Sequence, residues 1–237
     1  MTSKDIYDQL KSRILSGQYS IKMRLPTEAM LIKEFQTSRY AIRKIIQDLS
    51  NEGLVYSVKG KGVVVLDSSF QSQKINLHFD KIDDLQSTKQ NFKLNQKIDV
   101  ISFKLTMVDE TLSQKTLFPI GTPVYAIQRV RNINHEKLVL DINYFNAQIT
   151  PDITPEIAAD SIYNYLKQQL QMKIAVIRKQ LRFEAASKLD IENLSLNDNN
   201  CIGKMINYAY NNDGKLFEYT ESHFIPDSFV FNQIITL

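Results

Sequence analysis

Cysteine is almost missing from this chain of 237 residues: the one present is Cys201. No internal disulfide can form. The three histidines, His78, His135 and His223, lie far apart in sequence, so no zinc-spaced cluster exists and no structural metal is expected. Glycine is scarce as well. Of seven, four fall in the first 62 residues: Gly17, Gly53, Gly60 and Gly62. G-x-G-x-x-G is absent, and Gly60-Lys61-Gly62 lacks the upstream Gly and the following Ser/Thr of a phosphate-cradling loop. A nucleotide-cofactor enzyme is therefore not expected, and neither is any other cofactor. No apolar run approaches the roughly 20 residues of a spanning helix, so no membrane partner is expected. The N-terminal MTSKDIYDQLK carries no apolar core of a secretory signal. Together these absences predict a soluble, cytoplasmic protein.

What is present is ordinary in bulk and asymmetric in detail. Hydrophobic residues make up 43% and charged residues 23%, which suits a globular chain rather than a disordered one. The formal net charge of +3 hides a division at Leu66. Residues 1–66 hold 11 Lys/Arg against 6 Asp/Glu, whereas the rest hold 18 against 20. A basic head on a slightly acidic body points to a polyanion-binding module joined to something else.

The head reads as three helices and a hairpin. Ile6, Leu10 and Ile14 recur at helical spacing over Asp5–Ser16, and Gly17 follows as a stop. Pro26 ends anything upstream, Thr27 is a good N-cap, and Glu28 complements the dipole of a short helix running to Phe35. After the polar break Gln36-Thr37-Ser38, a third helix is expected over Arg39–Asn51. At about 100° per residue, Arg39, Arg43, Gln47, Tyr40 and Lys44 fall between about 0° and 140°. Ile45, Leu49, Ile42 and Ile46 fall between about 240° and 340°. One face can be core while the other offers cations. Leu54–Val58 and Val63–Leu66 are β-rich runs flanking Lys59-Gly60-Lys61-Gly62, a hairpin whose tip can approach phosphates closely. Helix, short turn, helix and cationic hairpin compose a winged helix-turn-helix.

LPTE followed by TSRYAIRKIIQDLSNEGLVYSVKGKG resembles the N-terminal DNA-binding domain of the GntR regulators. The resemblance implies that Ser38, Arg39 and Arg43 contact operator DNA and that Gly62, beside Lys61, forms the wing tip. Thr27, Tyr40, Lys44 and Lys59 complete the candidate DNA-binding set. Ala29, Ala41 and Ser57 depart from residues common in the family, so the resemblance implies the binding mode and not the operator sequence.

Asp67–Gln73 is polar and unpatterned, and residues 67–76 are taken as the linker between a head of residues 1–66 and a body of residues 77–237. The body alternates strands with a few helices. Strands are expected at Val100–Val108, Val124–Ile133, Leu138–Phe145, Ile174–Phe183, Ile202–Tyr210 and Leu216–Phe224, with helices at Ser161–Leu170 and Lys188–Leu194. The last two strands flank Asn211-Asn212-Asp213-Gly214, a hairpin turn by composition. The fold class is α+β and mainly antiparallel. Arg129 and Arg131 alternate onto one strand face, where they repel unless an anion or acidic partners lie between them. Ser161 is a plausible helix cap. The alternation of Glu221 and His223 with Tyr219 is read as the outward face of an edge strand, and Cys201 as a small apolar residue opening a strand.

VYAIQRVRNINHEKLVLDINYF, SIYNYL and FEYTESHFIPDSFVF resemble the effector-binding UTRA domain of HutC-type GntR regulators, which has a chorismate-lyase-like fold. In sugar-phosphate-responsive members the R-x-R pair and the S-x-Y at a helix start hold phosphate. The resemblance thereby implies Arg129, Arg131, Ser161 and Tyr163 as phosphate ligands, Asp141 as a partner of sugar hydroxyls, and Ser87 as a further contact. DINYF and YTES match best the members that repress trehalose operons. The implied protein is a homodimeric repressor bound to a pseudo-palindromic operator and released by trehalose 6-phosphate. Another phosphosugar, such as glucosamine 6-phosphate, is the alternative. An enzyme with a lyase-like body is disfavoured because no catalytic constellation has convincing spacing.

Overall fold

The computed structural model describes residues 2–19, 23–66, 75–77 and 96–231. They fall into two compact units, one within Met1–Gln73 and the other within Lys74–Asn232. No helix among the described residues is long and apolar enough to cross a membrane.

In the first unit, α1 spans Ser3–Leu15, α2 spans Glu28–Phe35 and α3 spans Arg39–Asn51. Each has a side-chain N-cap. Thr2 and Asp5 form a capping box on α1, Thr27 caps α2, and Ser38 caps α3. Such a cap typically contributes about 1 kcal/mol. The turn between α2 and α3 closes on Gln36, which takes the left-handed conformation at φ 48° and leaves room for only a two-residue break before Arg39. Ile6, Leu10, Ile14, Leu31, Phe35, Ile42, Ile45, Ile46 and Leu49 form one core. The four apolar residues on one side of the α3 wheel are the four that α3 buries.

Strands β1 (Val55–Val58) and β2 (Gly62–Val65) pair antiparallel as the expected hairpin. Gly60 and Gly62 hold φ 77° and 87°, a region that strains any residue with a Cβ, so the tip sequence follows from the turn. A third segment joins them. The Leu25 N–H donates to the Val63 carbonyl at 2.9 Å, and the Val65 N–H donates to the Met23 carbonyl at 2.8 Å. A bridge between Arg24 and Val64 completes this ribbon. One bridged residue has no period, so sequence patterning does not show it.

The second unit is built on a six-stranded antiparallel sheet. Its strands are β4 (Gln96–Met107), β5 (Pro123–Ile133), β6 (Glu136–Asn146), β7 (Ile174–Ala185), β8 (Cys201–Asn211) and β9 (Leu216–Phe224). Their order across the sheet is β4-β5-β6-β9-β8-β7, so β9 is inserted between β6 and β8. Asn211–Asn212–Asp213–Gly214 makes the β8–β9 turn, as expected. A separate parallel pair joins β3 (Ile75–Leu77) to β10 (Phe229–Phe231). Ile75 and Asn76, within the expected linker of residues 67–76, are strand residues paired with Phe229 and Val230. The other residues of the expected linker, 67–74, lie outside the described residues.

Among the described residues, four short helices pack on the sheet. Helix α4 spans Glu110–Thr116, α5 spans Pro155–Ala159, α6 spans Ile162–Gln168 and α7 spans Lys188–Asn193. Ile153, Ala158, Ile162, Tyr165 and Leu166, in or beside α5 and α6, form a core with Ile127, Phe145, Ala209 and Phe217 of the sheet. The α4 region contributes Val108 and Phe118 to a cluster with Val124, Ile206 and Tyr219. Sequence patterning does not predict α4 and α5.

Candidate functional site

The candidate DNA-binding residues of the first unit form an exposed set. Arg39, Tyr40, Arg43 and Lys44 all lie on the solvent face of α3, with Tyr40 77% exposed. Lys59, Lys61 and Gly62 are exposed at the wing tip. Ser38 and Thr27 accept helix-capping hydrogen bonds, from the Ala41 N–H at 3.1 Å and the Met30 N–H at 3.3 Å. Each hydroxyl keeps its own proton to donate to an acceptor such as a phosphate oxygen. The arrangement carries one restraint that sequence reading missed. Arg43 Nε donates to both carboxylate oxygens of Glu28, at 3.1 Å each. Glu28 therefore braces Arg43 as well as complementing the α2 dipole.

In the second unit the two arginines of β5 are buried, Arg129 at 6% exposure and Arg131 at 8%. Asp141 on β6 is the acidic partner that their spacing requires. It stands directly across from Arg129 in the strand register. Its Oδ2 accepts from Arg131 Nε at 2.6 Å and from Arg129 Nη2 at 3.5 Å. Its Oδ1 accepts from the Ser222 hydroxyl at 2.6 Å. Burial alone would raise the Asp141 carboxyl, but Arg131 and Arg129 hold it below the ordinary aspartate value. Burial also pushes the Arg129 guanidinium down to about 10, against the pull of Asp141.

Arg129 is then fixed on two further sides. Its Nε donates to Asn143 Oδ1 at 3.0 Å, and its Nη1 donates to the Ala158 carbonyl of α5 at 3.1 Å. Three residues on, Ser161 is buried and caps α6, accepting from the Asn164 N–H at 3.1 Å. Tyr163, half-buried on α6, donates its hydroxyl to Glu218 of β9. Burial raises the Glu218 carboxyl, opposed by the Thr220 and Tyr163 hydroxyls and by Arg129. The fold thus joins Arg129, Arg131 and Asp141 directly, and Tyr163 through Glu218, while Ser161 caps α6 three residues past the Ala158 carbonyl that Arg129 holds. Ser87 lies outside the described residues. Sequence reading missed Asn143, Thr220, Ser222 and Glu218. Their signal is weak, because polar residues in a strand read as a solvent face until a partner is known to cover them.

Glu221 and His223 are not on an edge strand. They lie on β9, an inner strand, and are 3% and 6% exposed. They occupy the face opposite to Glu218, Thr220 and Ser222. His223 Nδ1 is 2.6 Å from Asp190 of α7, and Glu221 is 3.1 Å from Lys115 and 3.5 Å from Lys204. The polar alternation expected of an exposed face marks a buried ionic network instead, because α4 and α7 cover it.

Comparison with known proteins identifies both units. The domain described as "Bacterial regulatory proteins, gntR family" matches residues 2–65, and the UTRA domain matches residues 93–230. The HTH-type transcriptional regulator GmuR of Bacillus subtilis is 28% identical over 97% of this chain and 96% of that protein. The regulator TreR of the same species is 28% identical over 95% of this chain and 93% of that protein. The crystal structure of the possible transcriptional regulator YydK from B. subtilis matches the whole of both chains at a TM-score of 0.74 and 20% identity, a likeness of fold. The effector-binding domain of the B. subtilis trehalose repressor matches 60% of this chain and 98% of that one, at 0.56 and 29% identity.

Proposed function

Because the chain belongs to the GntR family of transcription regulators and carries a UTRA domain, we propose that it represses a sugar-utilisation operon and is released from its operator by a sugar phosphate. It is a regulator and not an enzyme. Its place of action is the cytoplasm, where operator DNA lies. The trehalose operon is the first assignment, with trehalose 6-phosphate as effector, on the similarity to TreR over both units.

One observation carries the effector reading. Two buried arginines share the carboxylate of Asp141, and the other buried carboxylate that acts on Arg129, Glu218, is pushed toward its neutral form by burial, so the pair is incompletely neutralised. A buried cationic surplus of this kind is costly unless an anion completes it. A phosphate dianion does so, and arginine forks suit its oxygens better than lysine would. An anion would draw the Tyr163 hydroxyl away from Glu218, and Ser161 caps the helix beside it. Asp141 is positioned to exchange part of its arginine contact for a sugar hydroxyl.

The mechanism is linkage. Arg39 and Arg43 share one ridge of α3 and enter a major groove, while Lys59 and Lys61 neutralise phosphates at the wing. Two copies of the chain on a pseudo-palindromic operator set the spacing between recognition helices. Effector binding favours a spacing that does not fit. Operator must then weaken effector binding by the same factor that effector weakens operator binding.

The test is a titration of operator binding by fluorescence anisotropy, with and without trehalose 6-phosphate. Wild-type protein releases the operator as the sugar phosphate is added. Arg129→Lys and Arg131→Lys bind operator as wild type does but are not released. Operator affinity unmoved across a panel of sugar phosphates, glucosamine 6-phosphate included, would sink the sensor reading.

A further inference from the structure

From the Arg129 centre a row of polar side chains crosses the sheet, and its far end is unfinished. Strand register places Asn143 of β6 opposite Thr220 of β9, Thr220 opposite Asn207 of β8, and Asn207 opposite Lys179 of β7. The near end is a directed chain of hydrogen bonds. Arg129 donates to Asn143, Asn143 Nδ2 donates to Thr220 Oγ1 at 2.8 Å, and the Thr220 hydroxyl donates to Glu218 Oε1 at 2.6 Å. Glu218 also accepts from Tyr163, so the chain ends there with both carboxylate oxygens occupied. Asn207 stands next in the row and is left out. Its Oδ1 is buried without a hydrogen-bond partner. Only two other buried side-chain polar atoms among the described residues share that condition, Tyr19 Oη in the first unit and His223 Nε2 on the opposite face of the sheet.

A buried amide oxygen without a donor is destabilising, and stable sites fill such positions with protein or ligand donors. Its two neighbours toward Arg129 are directed elsewhere, and Lys179, beyond it on β7, is already engaged. Asn143 spends its amide on Thr220, and Thr220 spends its proton on Glu218. A hydrogen-bond donor brought by a ligand would complete it, and a neutral hydroxyl suits Asn207, which offers a dipole and not a charge. Sugar hydroxyls meet that description. Distance then selects among sugars. The Arg129 guanidinium is tied to Asp141 and Asn143 of β6, and β8 lies two strands away, about 10 Å at ordinary strand spacing. A ligand that touches both must carry hydroxyls well away from its anion.

On this basis, and resting on the phosphate reading of Arg129 and Arg131, we infer that Asn207 is a specificity-determining residue that receives a hydroxyl of the ligand's distal part, which favours a phosphorylated disaccharide over a phosphorylated monosaccharide. The anion is held at the β5–β6 end of the row, and the neutral polyol runs along Asn143 and Thr220 toward β8.

Calorimetric titration of the full chain tests this with three probes: trehalose 6-phosphate, glucose 6-phosphate and inorganic phosphate. Wild type is expected to bind the disaccharide phosphate more tightly than the other two. Asn207→Ala and Asn207→Ser should each lose about tenfold or more for trehalose 6-phosphate, while inorganic phosphate moves by less than about twofold. That split in ratio is the signature of a residue reading the polyol. Equal losses for trehalose 6-phosphate and inorganic phosphate would mean that Asn207 only supports the fold, and would overturn the inference. Variants that bind trehalose 6-phosphate within twofold of wild type would overturn it too. Should wild type bind inorganic phosphate but neither sugar phosphate more tightly, the anion site stands and the Asn207 assignment fails. Binding of none of the three would remove the phosphate reading itself and this inference with it.

Discussion

Arg43 reaches back from the recognition helix to Glu28, and its Nε lies 3.1 Å from each oxygen of that carboxylate. The pair is exposed, so it contributes about 0–1 kcal/mol to stability. Its larger effect is on binding. Glu28 holds the arginine in a fixed rotamer and places a negative charge beside the surface that meets DNA. Glu28→Gln should bind random-sequence duplex a few-fold more tightly, lose part of its preference for operator, and unfold within about 1 kcal/mol of wild type. Anisotropy titrations on operator and scrambled duplexes measure both affinities. An unchanged ratio would show that Glu28 plays no part in recognition.

Removal of the head's cations separates base reading from phosphate holding. Lys61→Ala should weaken operator and random DNA alike and reduce the slope of log affinity against log salt by about 1. Arg39→Ala and Arg43→Ala should weaken operator binding, and whichever reads guanine loses about 1–3 kcal/mol of discrimination at that base. Competition binding with single-base operator variants identifies it. Loss of nothing but non-specific affinity in both variants would leave sequence reading to other residues.

Asp141→Asn leaves two buried guanidinium groups without their counter-ion. Breaking such a buried pair costs about 3–5 kcal/mol, read from urea unfolding of the body transition. Inorganic phosphate should then restore more stability to the variant than it adds to wild type, because the anion replaces the missing carboxylate. Equal stabilisation of both proteins by phosphate would contradict an anion site at these arginines.

His223 gives the body a pH dependence with a definite sign. Burial would lower its pKa, but Asp190, which accepts from Nδ1, and the Glu221 carboxylate facing Nε2 raise it above 6.5, with Lys204 opposing. His223, the Tyr219 hydroxyl and Lys115 in turn hold Glu221, whose own carboxyl is lowered to about 2 despite burial. A raised folded-state value means that the charged histidine contributes its full stability below about pH 6.5. That contribution is lost as pH rises through the folded-state pKa. Wild-type unfolding free energy should therefore fall across that rise, and His223→Gln should flatten the fall. Parallel urea curves at a series of pH values make the comparison. A variant as pH-dependent as wild type would place the titration elsewhere.

The head was legible because its signals are local. Thr27 and Ser38 as caps, the apolar stripe of α3, and the glycines of the wing each act within a few residues. The strands of the body were legible for the same reason. Their order was not. Nothing near Leu216–Phe224 says that this run slips between β6 and β8, so Glu221 and His223 read as an outward face when α4 and α7 cover them. The candidate site shows the same division. Arg129 and Arg131 announce an anion problem by alternation alone, and Asp141 and Tyr163 follow from family likeness. Asn143, Thr220 and Asn207 become meaningful only when three strands far apart in sequence are laid side by side.

The insertion of β9 between β6 and β8 also sets an order of events in the making of the protein. The contacts of α1, α2, α3 and the wing join residues close in sequence, so the DNA-reading surface needs only the first 66 residues for its own hydrogen bonds and core. The sheet that carries Arg129 cannot close until residue 224 has been synthesised, because its central strand is its last long one. Low sequence separation favours rapid folding, and distant strand pairing delays it. On a ribosome, the surface proposed to grip DNA is chemically complete well before the one proposed to release it.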